Sequence, residues 1–307
     1  MRKPVDGVAA SIMLVLCFAW GLQQVAIKAI AEDVSPVMQI AFRSGVAAVL
    51  VWGYGRLVAR DVWLRGVALR SGIAVGVLFA AEFLLVAQGL RWSSASHVAV
   101  FLYTAPLFAA IGLHLCLPDE RLSLVQWSGI TVAFVGIAIA FLWPTGSAVT
   151  LSSSTLLGDL LALGAGAAWG ATTVVIRTTR LSEAPPPQTL FYQLTIAFLI
   201  LLSFAVITDQ TQFHGSPLVW ASLGFQTLLV SFVSFLVWFW LLRHYLAARL
   251  GVLSFMTPMF GVALGVLLLG EQLEMRFIVG SVMVLIGVLI VNAQVLRGLR
   301  RTARGPK

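Results

Sequence analysis

The chain has 307 residues, of which 60% are hydrophobic and only 10% charged, whereas a soluble chain carries about 25% charged residues. This composition excludes an ordinary soluble domain. The net charge of +8 does not point to nucleic acid, because the basic residues sit between apolar runs, where they set membrane orientation.

A spanning helix needs about 20 mainly apolar residues. The pattern predicts ten such segments, at 8–30, 34–57, 66–90, 94–117, 122–143, 156–179, 186–208, 217–243, 247–270 and 275–296. Lipid cannot satisfy unpaired backbone groups, so each is expected to be a helix. The first segment follows Arg2-Lys3 and resembles a signal peptide, with Ala29-Ile30-Ala31 as a cleavage site. It is long enough to span, however, and is expected to stay uncleaved. It carries Trp20-Gly21 near mid-depth, with Gln23 and Gln24 about one turn on. Cys17 and Cys116 lie in apolar segments without metal-ligand spacing and read as small core residues.

The second helix carries Arg43 about nine residues in, some 13 Å deep at about 1.5 Å per residue. It suits either a substrate carboxylate or a structural ion pair with Glu82. Glu82 lies well inside the third helix. An intramembrane carboxyl is costly, so it reads as a proton carrier, as a partner for a substrate amine, or as a brace between helices. His97 and Tyr103 follow in the fourth helix; His97, near its outer end, reads as a wet surface histidine or as a cavity residue. The uncharged segment Pro144 to Thr155 reads as a linker. The sixth helix begins near Asp159, whose charge suits a helix start. It then carries Trp169-Gly170, with Thr172 and Thr173 one turn on. Pro185-Pro186-Pro187 marks a rigid turn. Tyr192 and Gln193 in the seventh helix, and Gln226, Ser234 and Trp238 in the eighth, add polar and aromatic points. Tryptophan ordinarily prefers membrane interfaces. Trp20 and Trp169 at mid-depth therefore read as a cavity lining, the alternative being close packing beside glycine.

These features repeat. Trp20-Gly21 recurs as Trp169-Gly170, Lys28 as Arg177, and Thr104-Ala105-Pro106 as Met256-Thr257-Pro258. Glu120, Gly129 and Gly136 recur as Glu271, Gly280 and Gly287, at one offset of 151 residues. Residues 1–147 and 148–296 are thus two units of five helices each, and 297–307 is a basic tail. Five is odd, so the second unit enters the membrane inverted, the arrangement associated with alternating access. The expected fold is an all-α integral membrane protein with ten transmembrane helices in two inverted-topology five-helix repeats.

Charge sets the orientation. Arg2, Lys3, Arg56, Arg60, Arg65, Arg70, Arg121, Arg177, Arg180, Arg243, Arg249 and the basic tail fall on one side. Only Lys28, Arg91 and Arg276 fall on the other. Both termini are accordingly expected in the cytoplasm.

Taken in order, these residues resemble the drug/metabolite transporter superfamily, in particular its ten-helix bacterial members with two EamA-type repeats. The resemblance rests on Trp20-Gly21, Arg43, Leu90 to Ser96, Thr104-Ala105-Pro106, Asp119-Glu120, Trp169-Gly170, Thr257-Pro258 and Gly270-Glu271. It covers essentially the whole chain and is most similar to the exporters of aromatic amino acids. Arg43 has no basic counterpart in the seventh helix, where Tyr192-Gln193 stand instead. The resemblance implies a multi-pass exporter in a bacterial inner membrane, moving amino acids with aromatic ones favoured. Drugs or other small metabolites are the alternative cargo. Its substrate-binding candidates are Trp20, Gln23, Gln24, Arg43, Glu82, His97, Tyr103, Trp169, Thr172, Thr173, Tyr192, Gln193, Gln226 and Trp238. The expected partners are a small-molecule substrate and the lipid bilayer, without nucleic acid; the oligomeric state stays open.

Catalytic readings are thin. No His-Glu-x-x-His, Walker loop or Gly-x-Ser-x-Gly occurs, and no cofactor or metal is expected. An intramembrane enzyme and a passive scaffold remain remote alternatives.

Overall fold

The computed structural model describes residues 6–64, 67–118, 121–142, 153–245, 250 and 253–302. These form ten helical spans. No strand is formed among them, and an isolated bridge pairs Val34 with Phe213.

α1 (Gly7–Ala29) starts at Asp6, whose carboxylate accepts the Ala9 amide at 2.8 Å. That bond holds the Asp6 carboxyl below its ordinary range. α2 (Pro36–Gly53) is capped by Ser35, places proline at a position where no amide is needed, and runs on as a π-helical turn, Tyr54–Val58. α3 spans Val67–Trp92. α4 comes in two pieces, Ala95–Leu102 and Ala105–Cys116. α5 is Leu124–Leu142 and α6 is Ser153–Thr178, so α6 takes the end of the expected linker into its first turn. The rest of that linker lies outside the described residues. After a 3-10 turn at Arg180–Glu183, the proline run opens α7 (Pro186–Ile207). α8 joins Pro217–Gly224, a π-helical stretch Phe225–Ser234, and Phe235–His244. α9 is Met256–Leu269, and α10 runs from Met275 to Thr302, past its expected end at 296. Seven helices are long and apolar enough to cross a membrane, and shorter apolar helices at Leu124–Ala140, Met256–Leu269 and Met275–Val291 complete the ten.

The break in α4 has a local cause. Pro106 lacks an amide for the Leu102 carbonyl, and its ring would collide with that carbonyl in a continuous helix. Tyr103 and Thr104 form the turn, with the Thr104 hydroxyl donating to the Phe101 carbonyl at 2.6 Å. α9 likewise restarts just after a turn at Phe255, ahead of Thr257-Pro258.

Packing is reciprocal between the halves. α1 lies on α9, and α6 on α4. Glycines set both contacts. A Cβ on Gly21 would come within 2.8 Å of the Gly261 amide, and one on Gly170 within 2.8 Å of the Ala109 amide. The same exchange joins α5 to α10. Gly129 meets the Gly287 carbonyl and Gly136 the Gly280 carbonyl, so that an added Cβ would stand 2.7 and 2.6 Å away, respectively. Membrane helices gain little from hydrophobicity against one another, so close approach at small residues carries much of their association. The symmetry is incomplete elsewhere. α3 packs broadly on α6 and α7, whereas its counterpart α8 touches α1 and α2 less.

Overpacking such a contact costs about 1–3 kcal/mol. Gly136→Leu is therefore expected to lower the thermal midpoint of the purified protein. Gly53→Ala, where nothing lies within 4 Å of the added carbon, should leave it unchanged or slightly raised. A Gly136→Leu protein as stable as the parent would mean that α5 and α10 do not meet there.

Candidate functional site

A cavity of about 960 Å³ is lined chiefly by α1, α3, α4, α6, α7 and α8, with Gln126 of α5 and Val291 of α10 at its edge. Trp20, Gln23, Gln24, Glu82, Tyr103, Trp169, Thr172, Thr173, Gln193 and Trp238 all line it. The two breaks face it as well, through Tyr103 and Phe255. Each repeat-related tryptophan stands edge-on to an aromatic neighbour, Trp20 to Trp238 at 5.7 Å and Trp169 to Tyr103 at 5.3 Å. The Trp20 indole also donates to the Ser234 hydroxyl at 2.8 Å, and Ser234 in turn donates to the Val230 carbonyl within the π-helical stretch. A π-helical segment can mark a functional site, and here it carries the anchor of a cavity tryptophan.

The polar lining is rich in acceptors. Thr172 donates to the Ala168 carbonyl at 3.0 Å and Thr173 to the Trp169 carbonyl at 3.3 Å. Their protons are thus engaged and their lone pairs remain. The Gln24 amide oxygen is buried without a hydrogen-bond partner among the described residues. Glu82 is buried and contributes a carboxyl group to the wall.

Four expected residues stand elsewhere. Arg43 is buried and does not line the cavity; its guanidinium lies 4.7 Å from the ring centre of Phe83, which does. Arg43 and Glu82 interact electrostatically, but among the described residues no hydrogen bond or ion pair joins them. His97 is not a wet surface side chain. Its ring stacks on Phe277 at 3.8 Å, and its Nδ1 lies 2.9 Å from a carboxylate oxygen of Asp159. Asp159, read from sequence as a helix-dipole charge, also accepts the Ser93 hydroxyl. Tyr192 packs against Gly72 and receives a bond from Gln188 at 3.1 Å. Gln226 is fully buried and donates to Gln39 and Ser222, joining α8 to α2.

The cavity wall includes residues that sequence reasoning passed over. Phe79 lies one turn before Glu82, Phe83 one turn after Phe79, and Thr189 one turn before Gln193. That spacing was the available signal. At one end the lining reaches Arg121, Arg177 and the Leu181–Pro186 segment. At the other end it stops short of Lys28, His97, Asp159 and Glu271.

Comparisons with known proteins agree with this architecture. A model described as the EamA-like transporter family matches residues 8–142 and 156–293. A Bacillus subtilis protein named uncharacterized transporter YoaV is 24% identical over 277 residues, covering 88% of this chain and 91% of that one. An Escherichia coli protein named probable amino-acid metabolite efflux pump is 24% identical over 294 residues, covering 93% and 94%. A crystal structure with 17% sequence identity superposes with a TM-score of 0.65, covering 95% of this chain and 99% of the other; at that identity it speaks for the fold alone.

The Trp20–Ser234 bond can be isolated. A net hydrogen bond contributes about 0.5–1.5 kcal/mol. Trp20→Phe and Ser234→Ala should each lower thermal stability, and the double variant should lose less than the two losses added. Additive losses would show that the two side chains do not interact.

Proposed function

We propose, for a chain that belongs to the EamA-like transporter family, that the cargo is an amino acid, with aromatic ones favoured, exported by alternating access around the central cavity. The protein is a multi-pass membrane transporter of small molecules; the cargo and the direction are the proposal. Supporting it are the relatives in Escherichia coli and Salmonella typhimurium, both named probable amino-acid metabolite efflux pumps. The observation that carries it is the composition of the wall, where one carboxyl group, several amides and two repeat-related tryptophans face one space.

A zwitterion needs partners for both charges. Glu82 and the acceptor lone pairs of Thr172 and Thr173 suit an ammonium group. The amide nitrogens of Gln23, Gln24 and Gln193 suit a carboxylate. Hydrogen bonds to charged groups contribute about 1.5–3 kcal/mol each, enough to hold the cargo and still release it. Trp20 and Trp169 offer faces to a side-chain ring, and aromatic pairs add about 0.5–1.5 kcal/mol, roughly three- to tenfold in affinity. Arg43 acts behind this wall, through Phe83 and its field on Glu82. A second reading, export of aromatic cations as drugs, is favoured by the same carboxyl beside tryptophan.

The units 1–147 and 148–296 would rock about the cavity. The arginine-rich end would be cytoplasmic, the membrane a bacterial inner membrane, and both termini inside. In that orientation the cavity lining extends toward the cytoplasmic end. Reporter fusions within residues 144–155 should read as external; a cytoplasmic signal there would reverse the orientation.

Counterflow in proteoliposomes, with amino acids and cationic drugs, tests the cargo. Trp20→Ala and Trp169→Ala should reduce exchange of phenylalanine, tyrosine or tryptophan roughly three- to tenfold more than exchange of alanine. Glu82→Gln should weaken exchange of every amine-bearing substrate. If the parent protein exchanges cationic drugs and no amino acid, the cargo assignment fails and the second reading stands.

A further inference from the structure

We infer that Lys28, Asp159 and Glu271 form an ionic latch that grips the α3–α4 turn and holds the outer end of the cavity shut in this state. The inference rests on the alternating-access reading above and adds the device that closes one end.

The turn from Leu90 to His97 joins a helix C-terminus to a helix N-terminus, so it exposes unpaired carbonyls and then unpaired amides. Each set meets a charge of the complementary sign from a different element. The Lys28 ammonium of α1 donates to the Ser93 carbonyl at 2.8 Å and to the Leu90 carbonyl. Glu271, in the loop between α9 and α10, accepts the Ala95 and Ser96 amides at 2.6 and 3.0 Å and the Ser96 hydroxyl at 2.5 Å. Asp159 of α6 takes the Ser93 hydroxyl and faces His97. Cations at helix C-termini and anions at N-termini are both favourable. Glu271 and Lys28 also attract each other.

Gly270 aims the carboxylate. It closes α9 in the left-handed conformation, at φ +66°, and turns the chain back toward α4. Gly265 leaves the room the carboxylate occupies, since a Cβ there would collide with the Glu271 carboxylate and stand 2.5 Å from the Ser96 hydroxyl. Two of the three latch residues come from the second repeat and grip the first. The bonds are polar and end on helix termini, so water can replace them when the end opens. An apolar seal of the same size would have no such substitute.

The repeat gives the comparison that separates a latch from a permanent brace. Arg177 is the repeat mate of Lys28. Lys28 holds a turn at the closed end, while Arg177 lines the cavity at the opposite end. The corresponding turn of the second repeat follows the end of α8 at His244. In the opposite state Arg177 is expected to take carbonyls at that helix end as the outer latch lets go.

Sided labelling tests this. With Cys17→Ala, Cys116→Ser and a Thr173→Cys reporter, an impermeant maleimide should label slowly from outside and faster from inside. Glu271→Gln and Lys28→Met each remove charge-assisted bonds, so each should raise outside labelling about tenfold or more. Arg177→Gln should lower it. Unchanged outside labelling in Glu271→Gln and Lys28→Met proteins of parental thermal stability would overturn the latch. If those variants do not fold, Ser93→Ala and Ser96→Ala provide the second test. Each removes a single hydroxyl bond to a latch carboxylate, Asp159 or Glu271, and each should raise outside labelling severalfold; unchanged labelling in both would overturn the latch. Labelling reads access and not cargo. A protein that labels as expected and exchanges no amino acid therefore fails the substrate reading alone.

Discussion

The whole arrangement depends on bare backbone meeting bare backbone at glycine. At Gly21, Gly170, Gly129, Gly136, Gly280 and Gly287 a neighbouring main chain comes so near that a single methyl group would not fit. In water such contacts would be secondary to burial of oily surface. In lipid that force is nearly absent, and closeness itself has to hold the helices together. The glycines also explain how the two halves interlock. The first helix of each half beds on the fourth of the other, and the fifth helices bed on each other.

The same contacts position the cavity. Gly21 and Gly170 lie beside Trp20 and Trp169, so the residue that lets α1 or α6 approach a broken helix also fixes the height of the neighbouring indole. The breaks at Tyr103–Thr104 and Phe255 put non-helical backbone where it borders the cavity and not lipid, which is the condition for irregular backbone at membrane depth. The asymmetry between α3 and α8 fits a state in which one end is gripped and the other is lined by arginines. The π-helical stretch falls in α8, the more loosely packed of that pair.

Much of this was legible because lipid imposes simple rules. Apolar runs of spanning length, punctuated by arginines, mark most helices to within a few residues, the start of α9 and the end of α10 excepted, and the common offset of the glycines marks the repeat. Depth is legible too, since each residue advances a helix by a fixed rise; Trp20, Trp169 and Glu82 sit at cavity height as their positions imply. The direction a side chain faces is harder to read. In a soluble protein the polar face of a helix points to water, but here the lipid side and the packed side are both apolar, so Arg43, Tyr192 and Gln226 have the right height and face neighbouring helices instead. His97 shows the converse. Its position near a helix end suggested solvent, while Asp159 and Phe277, distant in sequence, enclose it. The break in α4 was written in Pro106, but a membrane helix tolerates proline where its neighbours re-satisfy the freed backbone groups, so the neighbours decide between a kink and a break.

The pairing of α5 with α10 has a consequence for how the protein is made. α5 does its extensive packing on α10 alone among the described elements. The start of α10 at Met275 lies 133 residues (275 − 142) beyond the end of α5 at Leu142. At a synthesis rate of about 5–20 residues per second, that distance takes roughly 7–27 s. For that interval Gly129 and Gly136 lack the helix they pack against, since it is not yet translated. The nascent carrier therefore keeps an unclosed seam until the ribosome has nearly finished, and a chain cut short by its last helix would leave that face of α5 without its partner.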